Sequence, residues 1–123
     1  METKNTQNAE TKQAVKLPDD VTPEMIKAWK ERYGEEKVKI AMLPKDDDAS
    51  DFLDVIVRVP DRKTVDEFEK YIDKMPGKAK EILINACCLT GKDKIKADDG
   101  LFYGAVDAIT KLLPVRTAIL KNL

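Results

Sequence analysis

Histidine is absent from the chain, and Ser50 is its only serine. The first absence removes the commonest general base and the commonest transition-metal ligand. Together they exclude triads of the Ser-His and Cys-His kind. Cysteine is scarce: Cys87 and Cys88 are the only two, and they are neighbours. Adjacent side chains diverge and rarely reach disulfide geometry, and a small secreted domain usually carries several spaced cysteines. The pair points to a reducing compartment. No run approaches the ~20 apolar residues of a membrane span. The opening stretch METKNTQNAETKQAVK has no apolar core of the signal-peptide kind. Net charge is also small, with 22 Lys and Arg against 23 Asp and Glu. Such a chain has no general attraction for nucleic-acid backbones or anionic membranes.

What is present is charge of both signs. Charged residues make up 37% of the chain, above the usual ~25%, so the surface is heavily solvated. A length of 123 residues fits one domain. Residues 1–17, polar as far as Lys16, read as a disordered leader. Residues 18–123 read as a single α+β domain.

The domain opens with a helix. Thr22 suits its cap, Pro23 its first position and Gly34 its stop. Ile26, Trp29 and Tyr33 form one apolar stripe. In KVKIAML, Lys37–Leu43, Val38, Ile40 and Met42 alternate with Lys37 and Lys39 at strand period. A second strand runs from Phe52 to Val59, with Val55, Val57 and Val59 on one face. Pro44 and Pro60 end the two strands, and the polar loop between them predicts an antiparallel hairpin. A lone hairpin is marginal in water, so helices must cover it.

Three helices are expected next. Thr64-Val65-Asp66-Glu67 is a capping-box pattern for the first, which Pro76-Gly77 breaks. The next runs from about Lys78 to Leu89 with Ala79, Ile82, Leu83, Ala86 and Cys87 as its stripe, and Gly91 stops it. The last starts at Asp98 or Asp99 and carries Leu101, Phe102, Ala105, Val106, Ile109, Leu112 and Leu113 to Pro114. VRTAILKNL then reads as a short final strand, with helix as the alternative. The expected fold is thus an N-terminal helix, an antiparallel β-hairpin and a three-helix C-terminal bundle packed on the sheet.

Candidate sites are few. Asp46, Asp47, Asp48, Asp51 and Asp54 form an acidic cluster, but an EF-hand needs Gly sixth and Glu twelfth. Counting from Asp46, those places hold Asp51 and Val57, and the cluster reads as a solvated loop. Zinc sites need about four ligands, so Cys87 reads as core; Cys88 is off its stripe. Gly100 and Gly104 would let a helix of this domain, or of a second subunit, approach closely. Arg58, Arg62 and Lys63, with Lys92, Lys94 and Lys96, are local basic clusters without the interleaved aromatics of a single-strand binder. No cofactor, metal, nucleic-acid or membrane site is expected, and no catalytic residue.

Two stretches carry a resemblance. VIVRVPDRKTVDEFEKYI, Val55–Ile72, ends a strand in V-x-V-P and enters a helix. In Lys78–Leu123, Glu81–Gly91 gives E-I-L-x-N-x-C-x-x-x-G and Ala97–Ala105 gives x-D-D-x-L-F-x-x-A, before a Leu-Pro exit and a basic L-K-x-L ending. This pattern resembles phage tail assembly chaperones and related tail-morphogenesis proteins. The sequence departs from them at Cys88, where an aromatic often follows the cysteine. The resemblance implies a non-enzymatic protein of the bacterial host cytoplasm that keeps a tape-measure or other tail protein soluble. Expected contacts lie on the over-apolar last helix and beyond it: Leu101, Phe102, Val106, Leu113 and Leu120. The alternatives are a structural virion component, such as a tail or head-completion protein, and a small metal-binding or enzymatic protein. Self-association into a homo-oligomer is compatible with either of the first two.

Overall fold

Helix α1, Pro23–Tyr33, begins as the sequence predicts: the Thr22 hydroxyl accepts the Met25 N–H at 3.2 Å, and Pro23 occupies the first position. It ends at Gly34, whose φ of +122° suits glycine. These elements belong to a computed structural model, which describes residues 16–113 and 115–123. The expected leader lies outside the described residues as far as residue 15. The chain is α+β: α1, a two-stranded antiparallel sheet, then four helices. The strands are β1, Val38–Pro44, and β2, Phe52–Arg58; the helices are α2, Arg62–Tyr71, α3, Pro76–Cys87, α4, Lys92–Ala97, and α5, Asp99–Lys111. Among the described residues, no helix is long and apolar enough to cross a membrane.

The register corrects the expected face of β1. Lys39 pairs with Val57, Ala41 with Val55 and Leu43 with Leu53, and directly opposite residues share a face. Val55, Val57 and Leu43 belong to the core, with Ala41 and Leu53 packed against it. Val38 and Ile40 therefore lie on the other face, half-buried, and Met42 is 59% exposed. The Val-rich face of β2 decides which face of β1 meets the main core, because directly opposite residues share a face.

Three helix boundaries also move. The cap of α2 is Asp61 and not Thr64: the Asp61 carboxylate accepts the Thr64 N–H at 2.8 Å. A carboxylate three residues earlier outcompetes the threonine hydroxyl for the orphan donors. Thr64 then sits buried within the first turn. Helix α3 starts at Pro76, where a proline costs nothing because the N–H it lacks has no helical partner. It stops at Cys87, since Cys88–Thr90 is drawn onto β2: Leu89 N–H donates to the Ile56 carbonyl at 2.8 Å and Ile56 N–H donates to Thr90 Oγ1 at 2.9 Å. Cys88 faces Val57 in an antiparallel bridge. This extended piece is a substitute third strand.

The expected three-helix bundle contains a fourth member. Helix α4 has six residues and one fully buried side chain, Ile95. One apolar residue in KDKIKA makes no stripe, so the pattern could not show it. The core joins the β2 valines to Leu83, Ile84 and Cys87 of α3, Ile95 of α4, and Leu101, Ala105 and Ile109 of α5. The α5 trio recurs every four residues, one row of a helix face. The expected final strand is not formed: residues 115–123 have no regular structure and all are exposed. A strand needs a partner for its backbone, and among the described residues none lies beside this segment. Helix α1 contributes no fully buried residue; its stripe is only half-buried.

Candidate binding site

Arg58 ends β2 and is nearly buried, with its side chain 12% exposed. Its Nε donates to the Ala86 carbonyl at 2.8 Å, and one terminal nitrogen lies 3.5 Å from Thr64 Oγ1. The other terminal nitrogen is 3.5 Å from the Asp61 carboxylate. The guanidinium also stands over the Tyr33 ring, 4.8 Å from its centroid. One side chain thus ties β2 to α1, α2 and α3. The Thr64 backbone N–H, then its side chain, and then Arg58 hold the Asp61 carboxyl below its ordinary range. Arg58 is committed inside the fold and does not form a basic surface with Arg62 and Lys63. Lys96 is partly committed as well, donating to Asn85 Oδ1 at 2.6 Å.

The cysteines are buried. Burial raises the Cys87 thiol from 9.0 to about 11, against the nearby Arg58 charge, which lowers it. Burial, then the neighbouring Cys87, raises Cys88 to about 11. The nucleophile and the metal ligand is the thiolate, so neither thiol is poised for chemistry at neutral pH. We expect a disulfide-exchange reagent at pH 7 to modify neither cysteine in the folded chain and both in denaturant. Rapid labelling of the folded chain is the contrary result. The raised pKa also sets a pH window. The unfolded thiols ionise first, so their contribution to stability is complete below pH 9.0 and is lost as pH rises toward about 11.

The acidic loop satisfies itself. Asp46 accepts the Ser50 N–H at 2.9 Å and the Ser50 hydroxyl at 2.7 Å, and the hydroxyl is the leading reason its carboxyl is lowered. Asp51 accepts the Phe52 N–H and pairs with Lys45. A groove of about 820 Å³ opens beside Asp54, between residues 16–20 and 89–94. Asp54 Oδ1 is buried there without a hydrogen-bond partner. The lining mixes Lys16, Lys92 and Lys94 with Asp19, Asp20 and Asp93, so it favours no ligand of one sign. Among the described residues, no group of three or more His, Cys, Asp or Glu could hold a metal ion.

The two glycines of α5 differ from their sequence reading. A Cβ at Gly104 would meet nothing within 4 Å, and one at Gly100 would meet only the Asp98 carboxylate at 3.2 Å. Among the described residues, no other helix comes within 4 Å of either added Cβ. Gly104→Ala is therefore expected to stabilise the fold by about 0.5–1 kcal/mol, from helix propensity alone. A rise in the thermal midpoint checks this; a fall would mean that a second molecule packs there.

The expected contact residues divide into two groups. Leu101 is in the core, and Phe102 and Val106 pack against it. Leu113 is 38% exposed and Leu120 is 92% exposed. Around Leu120 the chain also exposes Val115, Ile119 and Leu123. The first group is the seat of the last helix, and the second faces solvent. Val115, Ile119 and Leu123 lie outside the expected contacts, and the sequence carries no signal that separates them from Leu120. Among the described residues, Leu113, Val115, Ile119, Leu120 and Leu123 are five of the nine large apolar side chains left exposed.

The chain matches no family model, no curated protein and no solved structure. The fold and the exposed run therefore stand on their own physical chemistry.

Proposed function

We propose that this protein is a non-enzymatic, chaperone-like binding protein that keeps an apolar partner in solution. The partner is a phage tail protein of the tape-measure kind, as the resemblance of Val55–Ile72 and Lys78–Leu123 implies. The observation that carries the reading is the exposed run after α5, where Val115, Ile119 and Leu120 are 84%, 85% and 92% exposed. Large exposed apolar groups close together mark interaction surfaces. Covering each such side chain yields about 1.5–3 kcal/mol, so three or four together offset much of the cost of association. The chain, 37% charged with both signs mixed, presents a heavily solvated surface, which suits the solubilising half of the task.

The test is co-expression with a tape-measure protein. The full chain is expected to raise the soluble fraction of the partner, and a chain ending at Leu113 is expected to lose that effect. A partner that stays equally insoluble with the full chain overturns the reading. Mass spectrometry of purified particles separates the structural alternative, since a chaperone is absent from mature particles and a component is present at fixed stoichiometry.

A further inference from the structure

We infer that residues 115–123 of one copy add as a strand to the outer edge of β1 of a second copy, and that the exchange makes a two-fold dimer. The edge is open for it. The Ile56 backbone is spent on Leu89 and Thr90, so it points away from β1. Ile40 is the residue paired with Ile56. In an antiparallel pair such a residue points its own N–H and C=O outward, away from β2. The same alternation turns Val38 and Met42 outward. Lys37, out of phase with them, points inward: its carbonyl accepts the Val59 N–H at 2.7 Å. Among the described residues, nothing accepts from or donates to the outward groups of Val38, Ile40 and Met42.

A seven-residue edge of this kind is a template for another strand. Its protection is slight: Lys39 and the terminal Pro44 are its only charge and its only proline.

The occupant is present in the same chain. Residues 115–123 carry Val, Thr and Ile, which favour strands, and they are long enough to span β1. Beyond the single Val115–Leu113 hydrogen bond, their backbone has no partner among the described residues. Charge favours the match. Residues 35–51, the strand with its flanks, hold six acidic and three basic residues, whereas 115–123 hold Arg116 and Lys121 and no acid. Two copies exchanging the same segment satisfy both open edges at once, which gives a closed, self-complementary pair.

The inference goes beyond the client reading, with the same segment pairing with a second copy when no client is present, and it is tested without client. Light scattering after size exclusion is expected to give twice the 13.9 kDa chain mass. A chain ending at Leu113 is expected to be monomeric with an unchanged far-ultraviolet spectrum. Met42→Pro removes an outward donor and leaves the ladder to β2 intact, so it is expected to weaken dimerisation about tenfold or more while the spectrum stays native. Hydrogen exchange is expected to protect the amides of Val38, Ile40 and Met42 in the full chain and to release them in the shortened one. A monomeric full chain overturns the inference, as does a dimer that survives the shortening. A monomer that still solubilises the client leaves the proposed function standing; a dimer that fails to do so leaves only the inference.

Discussion

Arg58→Met is expected to lower the unfolding free energy by about 3 kcal/mol, read as a lower urea midpoint with an unchanged slope. Methionine keeps the apolar stem, so the loss comes from the guanidinium. Its removal leaves the Ala86 carbonyl without its donor in a part-buried place. Hydrogen bonds from charged donors contribute about 1.5–3 kcal/mol net. The stacking on Tyr33 at 4.8 Å adds about 0.5–1 kcal/mol or more where desolvated. The pair with Asp61 adds little, because that carboxylate is 59% exposed and exposed pairs are worth little. The acid limb distinguishes the contributions. Asp61 has a lowered pKa, so its share of stability is present above its ordinary value of 3.8 and is lost as pH falls through the folded value. The leading cause is the Thr64 N–H, which Arg58→Met leaves in place. Most of the acid dependence should therefore survive the substitution. Its disappearance would mean that Arg58, and not the helix cap, sets the Asp61 charge.

Gly91→Ala is expected to cost about 3 kcal/mol in the same measurement, and here the backbone is the cause. Gly91 has φ +74°, and an added Cβ would stand 2.6 Å from Val55 Cγ1. A non-glycine residue in the left-handed region costs about 1–2 kcal/mol, and overpacking a core valine costs about 1–3 kcal/mol. Val55 is a core strand residue with 1% exposure and has no free direction in which to turn. The opposite sign is expected at Gly104, where a Cβ has open space around it. The two glycines look alike in the sequence, one a helix stop and one a small residue within a helix. Only the neighbouring atoms separate them.

The same distinction runs through the rest of the molecule. Helix α1 and the start of α5 were legible because capping is local: Thr22 and Asp98 sit within three residues of the N–H groups they accept. The hairpin was legible because alternation and the two prolines are local too. Missed were the events in which a distant partner outbid a local preference. Cys88–Thr90 has helical neighbours, yet it leaves α3 because β2 offers its open edge. The cap of α2 moved to Asp61, which also faces Arg58. Helix α4 has a single buried residue, Ile95, which carries it into the core. In the candidate site, the sequence could mark α5 and the segment after it as holding more apolar side chains than one face needs. It could not apportion them, because Leu101 and Leu120 differ in what lies opposite and not in chemistry.

By itself, then, the sequence determined an α+β chain with an N-terminal helix, a hairpin and following helices, without histidine and with one serine. These follow from periodicity, capping and composition, each readable over a few residues. Tertiary structure alone decided which face of β1 meets the core, that Arg58 is an internal tie, and that Cys88 is buried beside Cys87. It alone left residues 115–123 outside the core. The physical reason is that burial belongs to pairs of surfaces: α5 turns one row inward and fills it with Leu101, Ala105 and Ile109, so Val115, Ile119, Leu120 and Leu123 meet no covering surface among the described residues.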